Sequence, residues 1–118
     1  MYPNNATILY ARFLAEANEL ADPHKMSAVF YKKNRIVAVG INQPYKTHPK
    51  APTPYKTRHA EFNALMDLRK KVKKEDLSEY SIYVHRVRRN GSDGIARPCF
   101  CCQTMLEWAG ISKIYWSL

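Results

Sequence analysis

The chain is short of acid. Against 19 Lys and Arg it carries only 10 Asp and Glu, a formal net charge of +9, and no acidic residue stands between Asp22 and Glu61. Charge does not dictate a fold, but this imbalance favours anionic ligands such as nucleotides, single-stranded DNA or RNA. The bland alternative is a solvated basic surface. Cysteine is also scarce. Three Cys make an odd number, and two of them stand in Cys-x-x-Cys, so a disulfide framework is excluded in favour of a metal site in a reducing compartment. A second Cys pair is lacking, and no His pair has zinc-finger spacing, which argues against a closed four-ligand zinc ribbon. Long apolar runs are missing as well. Nothing approaches the ~18 residues of a membrane span, and no basic leader precedes an apolar stretch. The expectation is a cytoplasmic protein whose residues 1–118 form a single domain, large enough to build a core without staples.

Periodicity predicts the elements. Residues 4–21 read as a helix capped by Asn4 or Asn5, with Ile8, Leu9, Phe13, Leu14, Ala17 and Leu20 on its apolar face and Asp22-Pro23 at its end. Met26 to Tyr31 and Ile36 to Ile41 read as strands joined by a polar turn, in which Asn34 tolerates the left-handed conformation. Residues 43–58 read as a long loop. It holds four Pro and a repeat, Pro44-Tyr45-Lys46-Thr47 and Pro54-Tyr55-Lys56-Thr57, and it runs into His59. Tyrosines among cations suit bases stacked beside neutralised phosphates, or rings packed on the protein body.

Residues 59–74 read as a helix burying Phe62, Leu65, Leu68 and Val72, with Lys70, Lys71, Lys73 and Lys74 at its C-terminal end. A strand follows over 80–88, then a turn-rich loop over 90–94, with Ile95-Ala96-Arg97 as a further strand or bulge. Residues 99–109 read as a helix with Met105, Leu106 and Trp108 on its apolar surface, ended by Gly110, and Ile111 to Trp116 as a last strand.

The chemistry concentrates in His59-Ala60-Glu61 and Pro98-Cys99-Phe100-Cys101-Cys102. Zinc takes imidazole and thiolate, and three protein ligands leave a fourth position open for water, as catalytic zinc requires. Cys99 and Cys102 are three apart at a helix start, so both can face one side, and a helix N-terminus lowers thiol pKa. Glu61 is too near His59 to be a simple co-ligand, yet near enough to exchange protons with a water on the metal. Taken alone, it would be an acidic first-turn residue facing the helix dipole. Cys101 falls between the ligands and is expected in the core as a small hydrophobe, or as a substitute ligand. His24, His48 and His85 are expected to be structural or solvent-facing, with His48 a possible substrate contact.

His-x-Glu with a distant Pro-Cys-x-x-Cys resembles the zinc-dependent cytidine and deoxycytidylate deaminase superfamily. The resemblance implies a three-layer α/β/α sandwich, with a mixed sheet of about four strands and three helices. It implies Zn²⁺ on His59, Cys99 and Cys102, and Glu61 as the proton-moving catalytic residue. At the end of the second strand, Asn42 matches a sugar-contacting Asn. Substrate contacts are then expected from Asn42, Tyr45, Lys46, Tyr55, Lys56, Arg58, Ala60, Arg97 and Pro98.

The run from His59 to Leu65, with Asn63, is most similar to deoxycytidylate deaminases. The implied reaction is hydrolytic deamination of cytosine, on a free nucleotide or in single-stranded nucleic acid. The alternatives are an adenosine deaminase acting on RNA, or a basic nucleic-acid-binding module with structural zinc. A homo-oligomer is expected, because the chain ends on an edge strand.

Overall fold

A computed structural model describes residues 2–18, 25–44 and 57–118. The elements are α1 (Asn5–Glu16), β1 (Lys25–Lys32), β2 (Arg35–Ile41), β3 (Gln43–Pro44), β4 (Thr57–Arg58), α2 (Ala60–Lys71), β5 (Ser81–Val87), β6 (Asp93–Gly94), α3 (Phe100–Trp108) and β7 (Lys113–Trp116). A 3-10 helix over Lys74–Glu79 joins α2 to β5. The main sheet is mixed. β2 and β5 flank β1, both antiparallel to it, and the far edge of β5 is shared by β7, parallel to its start, and β6, antiparallel to its end. This division of one edge is why five strands occupy the width expected of four.

Alternation along the two central strands sorts the layers. Ala28, Phe30, Ile82 and Val84 join a core with Ala64, Leu68 and Leu106 of α2 and α3. Val29, Tyr31 and Tyr83 point the other way and meet Ala11 of α1. The result is helix, sheet and two helices, the three-layer sandwich of the cytidine-deaminase-like fold. Among the described residues, no helix is long and apolar enough to cross a membrane.

Several local expectations need correction. α1 is capped by Asn4, whose Oδ1 accepts from the Thr7 N–H at 2.9 Å, but it ends at Glu16 rather than 21. Its buried stripe is Thr7, Ala11 and Ala15, while Leu9 and Phe13 are 64 % and 65 % exposed. The small residues let the helix sit close on β1, where Ser27 Oγ donates to the Ala11 carbonyl. Leu20 and His24 lie outside the described residues. In the hairpin the positive φ falls at Lys33 (57°), not at Asn34. α2 stops at Lys71, and Val72 is already extended. On α3, Leu106 is buried but Trp108 is 90 % exposed. Cys101 is only half-buried, on the same outer surface, so it is not a core residue.

The link from β5 to α3 also differs. The strand there is Asp93–Gly94, not 95–97. This segment is anchored on both sides. Buried His85 bonds Asp93 Oδ1 through Nε2 at 2.8 Å and the Tyr83 hydroxyl through Nδ1 at 3.0 Å. Arg12 of α1 donates to the Gly91 carbonyl at 3.1 Å. Ser117 Oγ donates to the Gly94 carbonyl at 2.6 Å, and the Ala96 N–H donates to the Ser117 carbonyl at 3.0 Å. His85 is therefore structural, and the loop is a brace that sets the entry of Pro98 into α3.

Gly40 fixes the other entry. A Cβ there would lie 2.6 Å from the Ala60 carbonyl oxygen, 2.8 Å from the Asn63 carbonyl carbon and nearer still to the Ala64 nitrogen. None of these is a flexible side-chain end, so β2 and the first turn of α2 touch backbone to backbone. Gly40→Ala should cost at least roughly 1–3 kcal/mol of stability, the usual toll of overpacking. It should also weaken metal binding, because the displaced turn begins at His59. Thermal melts and metal titration check this, and unchanged values in both would show that the contact is dispensable.

Candidate metal centre

Two helix starts build the site. His59 precedes α2 as its N-cap residue, and Cys99 holds the same place on α3, its sulfur 3.5 Å from the Cys102 N–H that donates to it. His59 Nδ1 lies 3.2 Å from Cys102 Sγ and 3.6 Å from Cys99 Sγ, and all three ligand atoms fall within 4.8 Å of one another. Tetrahedral zinc, with bonds of about 2.3 Å to sulfur and about 2.0 Å to nitrogen, would hold N and S about 3.5 Å apart. The observed spacing fits that ion. Three candidate ligands among the described residues would leave one tetrahedral position for water, where a purely structural site would fill all four.

Electrostatics are mixed. Burial lowers the His59 pKa and so favours the neutral imidazole that metals bind. Burial also pushes the Cys102 thiol well up, with the neighbouring Glu61 carboxyl adding to the effect. For Cys102, desolvation thus outweighs the helix-start effect expected from the sequence. Glu61 is 2 % exposed, and burial raises its carboxyl to about 7 against an opposing backbone hydrogen bond. A carboxyl so placed can both take and give a proton near neutral pH.

A family model for the cytidine and deoxycytidylate deaminase zinc-binding region matches residues 5–118. The chain belongs to that family. It is a zinc-dependent deaminase, and its cofactor is Zn²⁺. No curated protein matches. Among solved structures it is similar to a dCMP deaminase from the cyanophage S-TIM5 in complex with dCMP and dUMP, at 22% identity and TM-score 0.68, covering 98% of this chain and 82% of that one. It is also similar to guanine deaminase from Bacillus subtilis, at 24% identity and TM-score 0.66, covering 97% of this chain and 64% of that one. A deaminase/reductase from Thermotoga maritima matches at 23% identity and TM-score 0.58, over 94% of this chain and 28% of that one. These likenesses show the fold.

The remaining expected site residues of this deaminase divide. Ala60, buried, opens α2; buried Pro98 and exposed Arg97 lead into α3, with the Arg97 guanidinium 5.9 Å from the Trp116 ring centre. Arg58 lies in β4, one residue before His59. Asn42 is engaged within the fold, its Oδ1 accepting from Asn18 Nδ2 at 2.9 Å and from the Met26 N–H at 3.0 Å. Tyr45, Lys46, Tyr55 and Lys56, with His48, lie outside the described residues. The ends of the long loop are not irregular: β3 and β4 pair them, Gln43 against Arg58 and Pro44 against Thr57.

The sequence reading gave no role to Gly40. A lone Gly inside a strand was the available signal.

Metal binding should depend on pH. Zinc on the His59, Cys99 and Cys102 cluster would need thiolates, and burial raises the Cys102 pKa, so binding would have to displace that proton. Affinity must then fall as pH falls, by up to roughly 10-fold per unit for the one Cys102 proton displaced. Chelator competition at pH 6, 7 and 8 measures the slope, and a flat dependence would show that the thiols are not the ligands.

Proposed function

We propose that this deaminase converts cytosine to uracil on a nucleotide, with zinc held by His59, Cys99 and Cys102 and protons moved by Glu61. The observation that carries the reading is a buried carboxyl two residues from the imidazole of a three-ligand, zinc-sized cluster. Zinc held by these three residues would supply a water made nucleophilic near neutral pH. The chain's own part is proton management. Glu61 takes a proton from the attacking water at its carboxylate and gives it to the ring nitrogen, then takes the remaining proton of that oxygen and gives it to the amine, which leaves as ammonia as the carbon–nitrogen bond breaks and the carbonyl forms. Burial keeps that carboxyl away from bulk water. Cytosine is supported by the match to the cytidine and deoxycytidylate deaminase region and by Asn63 in the His59–Leu65 run. Ala60, Arg97 and Pro98 adjoin the candidate ligands in sequence, and we assign them, with Asn42, Arg58, Tyr45, Lys46, Tyr55 and Lys56, to substrate binding.

A second reading, the same reaction within single strands, is favoured by the exposed Arg88, Arg89 and Arg97 on the segment leading to α3. Salt separates the two. Strand binding through several phosphates should weaken with a log–log slope of about −0.7 per phosphate contacted. Efficient dCMP turnover with a nearly flat salt dependence for strands supports the free nucleotide. A steep slope with turnover of strands alone supports the polymer.

A further inference from the structure

Asn63 gives direction to a short hydrogen-bond chain beside the metal cluster. Its Nδ2 lies 2.7 Å from the Ile41 carbonyl oxygen and 3.3 Å from Gln43 Oε1. A main-chain carbonyl can only accept, so the Asn63 atom facing Ile41 is the amide nitrogen. The Gln43 atom that this nitrogen also meets must then be an acceptor. Gln43 is thereby held with its carboxamide oxygen toward Asn63 and its NH₂ group turned away. The reverse orientation would set two donors against each other.

The place of this pair is set by the fold. Asn63 lies four residues after His59, one turn on, and its N–H donates to the His59 carbonyl at 3.2 Å. Gln43 is the β-partner of Arg58, the residue before His59, and such partners lie about 4.5–5.5 Å apart. Gln43 is half-buried.

We propose that Gln43 is a specificity-determining residue of this deaminase. Its NH₂ group donates to an acceptor oxygen on the non-reacting part of the substrate, and Asn63 is the positioning residue that holds it in that sense. The inference rests on the cytosine-nucleotide reading and deepens it. A cytosine nucleotide offers such oxygens in the base carbonyl and the sugar, both away from the amine that leaves.

The test uses the zinc-loaded full chain, Q43E and Q43A. In Q43E the carboxylate still accepts from Asn63 but turns an oxygen, not an NH₂, to the ligand. Equilibrium binding of cytidine, dCMP and free cytosine is measured by calorimetry, alongside steady-state turnover, zinc content and melting temperature. Q43E should raise Kd and KM for cytidine and dCMP by about 10-fold or more, the cost of an unmade hydrogen bond with an acceptor facing an acceptor. The loss should fall on KM rather than kcat, with zinc and melting temperature retained and Q43A intermediate. A penalty that persists with free cytosine assigns the base carbonyl, and one that vanishes assigns the sugar.

Wild-type affinity in Q43E overturns the proposal, as does loss of zinc or of the fold, which would make Gln43 structural. Wild type that binds none of these ligands overturns both the proposal and the reading it rests on. Binding without ammonia release overturns deamination of cytosine alone, because Kd still reports on Gln43.

Discussion

A Glu61→Gln protein should fold, carry zinc and lose turnover by roughly 10²–10⁴-fold, the usual contribution of a positioned acid–base group. Gln has nearly the same shape as Glu but cannot shuttle a proton. Glu61 is almost completely buried, and its carboxyl is pushed to about 7 by that burial, so the neutral amide removes a desolvation cost rather than adding one. Stability should therefore hold or rise. This separates catalysis from the first-turn role that an acidic residue could play at the start of any helix, because loss of a dipole partner would lower stability and spare turnover. Metal analysis, a melt and an ammonia assay on one preparation check all three. Turnover close to wild type would remove Glu61 from the reaction.

The second large effect concerns the thiols. Cys102→Ser should purify with little zinc and melt well below the native protein. Cys102 is fully buried with its sulfur 3.2 Å from His59 Nδ1, so the hydroxyl would replace a thiol at the candidate cluster, and zinc takes thiolate far more readily than an alcohol. A metal bound only by the folded state adds stability by mass action, about 4 kcal/mol when free zinc stands roughly 1,000-fold above its Kd. Cys99→Ser should lose the same metal with a smaller packing cost, since Cys99 is exposed. Cys101→Ser should keep both zinc and stability, because that residue faces outward with Thr104 and Trp108. Zinc lost from Cys101→Ser and kept by Cys102→Ser would reverse the ligand assignment.

Part of this was legible in the sequence for a simple reason. A three-residue spacing at a helix start, and a His at another, are local facts, and local geometry follows from local sequence. The central strands were legible for two reasons: β1 carries the apolar run Ala28-Val29-Phe30 of a strand buried on both faces, and β5 alternates around Ile82, Val84 and Val87. The face of α1 was not, because its large residues suggested burial while the packing chose small ones. Thr7, Ala11 and Ala15 meet the sheet, and Leu9 and Phe13 are left outside. Residue type states what burial would gain, not which face can approach closely. β6 was hidden in a segment of turn formers, whose pairing depends on anchors from Arg12, His85 and Ser117 far along the chain. The Asn63–Gln43 pair was hidden for the same reason: it exists only once β2 lies against α2 at Gly40.

The most direct measurement is product analysis of zinc-loaded protein offered dCMP, cytidine, single-stranded DNA, RNA and guanine, with ammonia and the converted base quantified together. The account predicts ammonia in step with uracil from at least one cytosine substrate, abolished by Glu61→Gln. Ammonia from guanine alone, or none from any cytosine substrate while zinc stays bound, would contradict it.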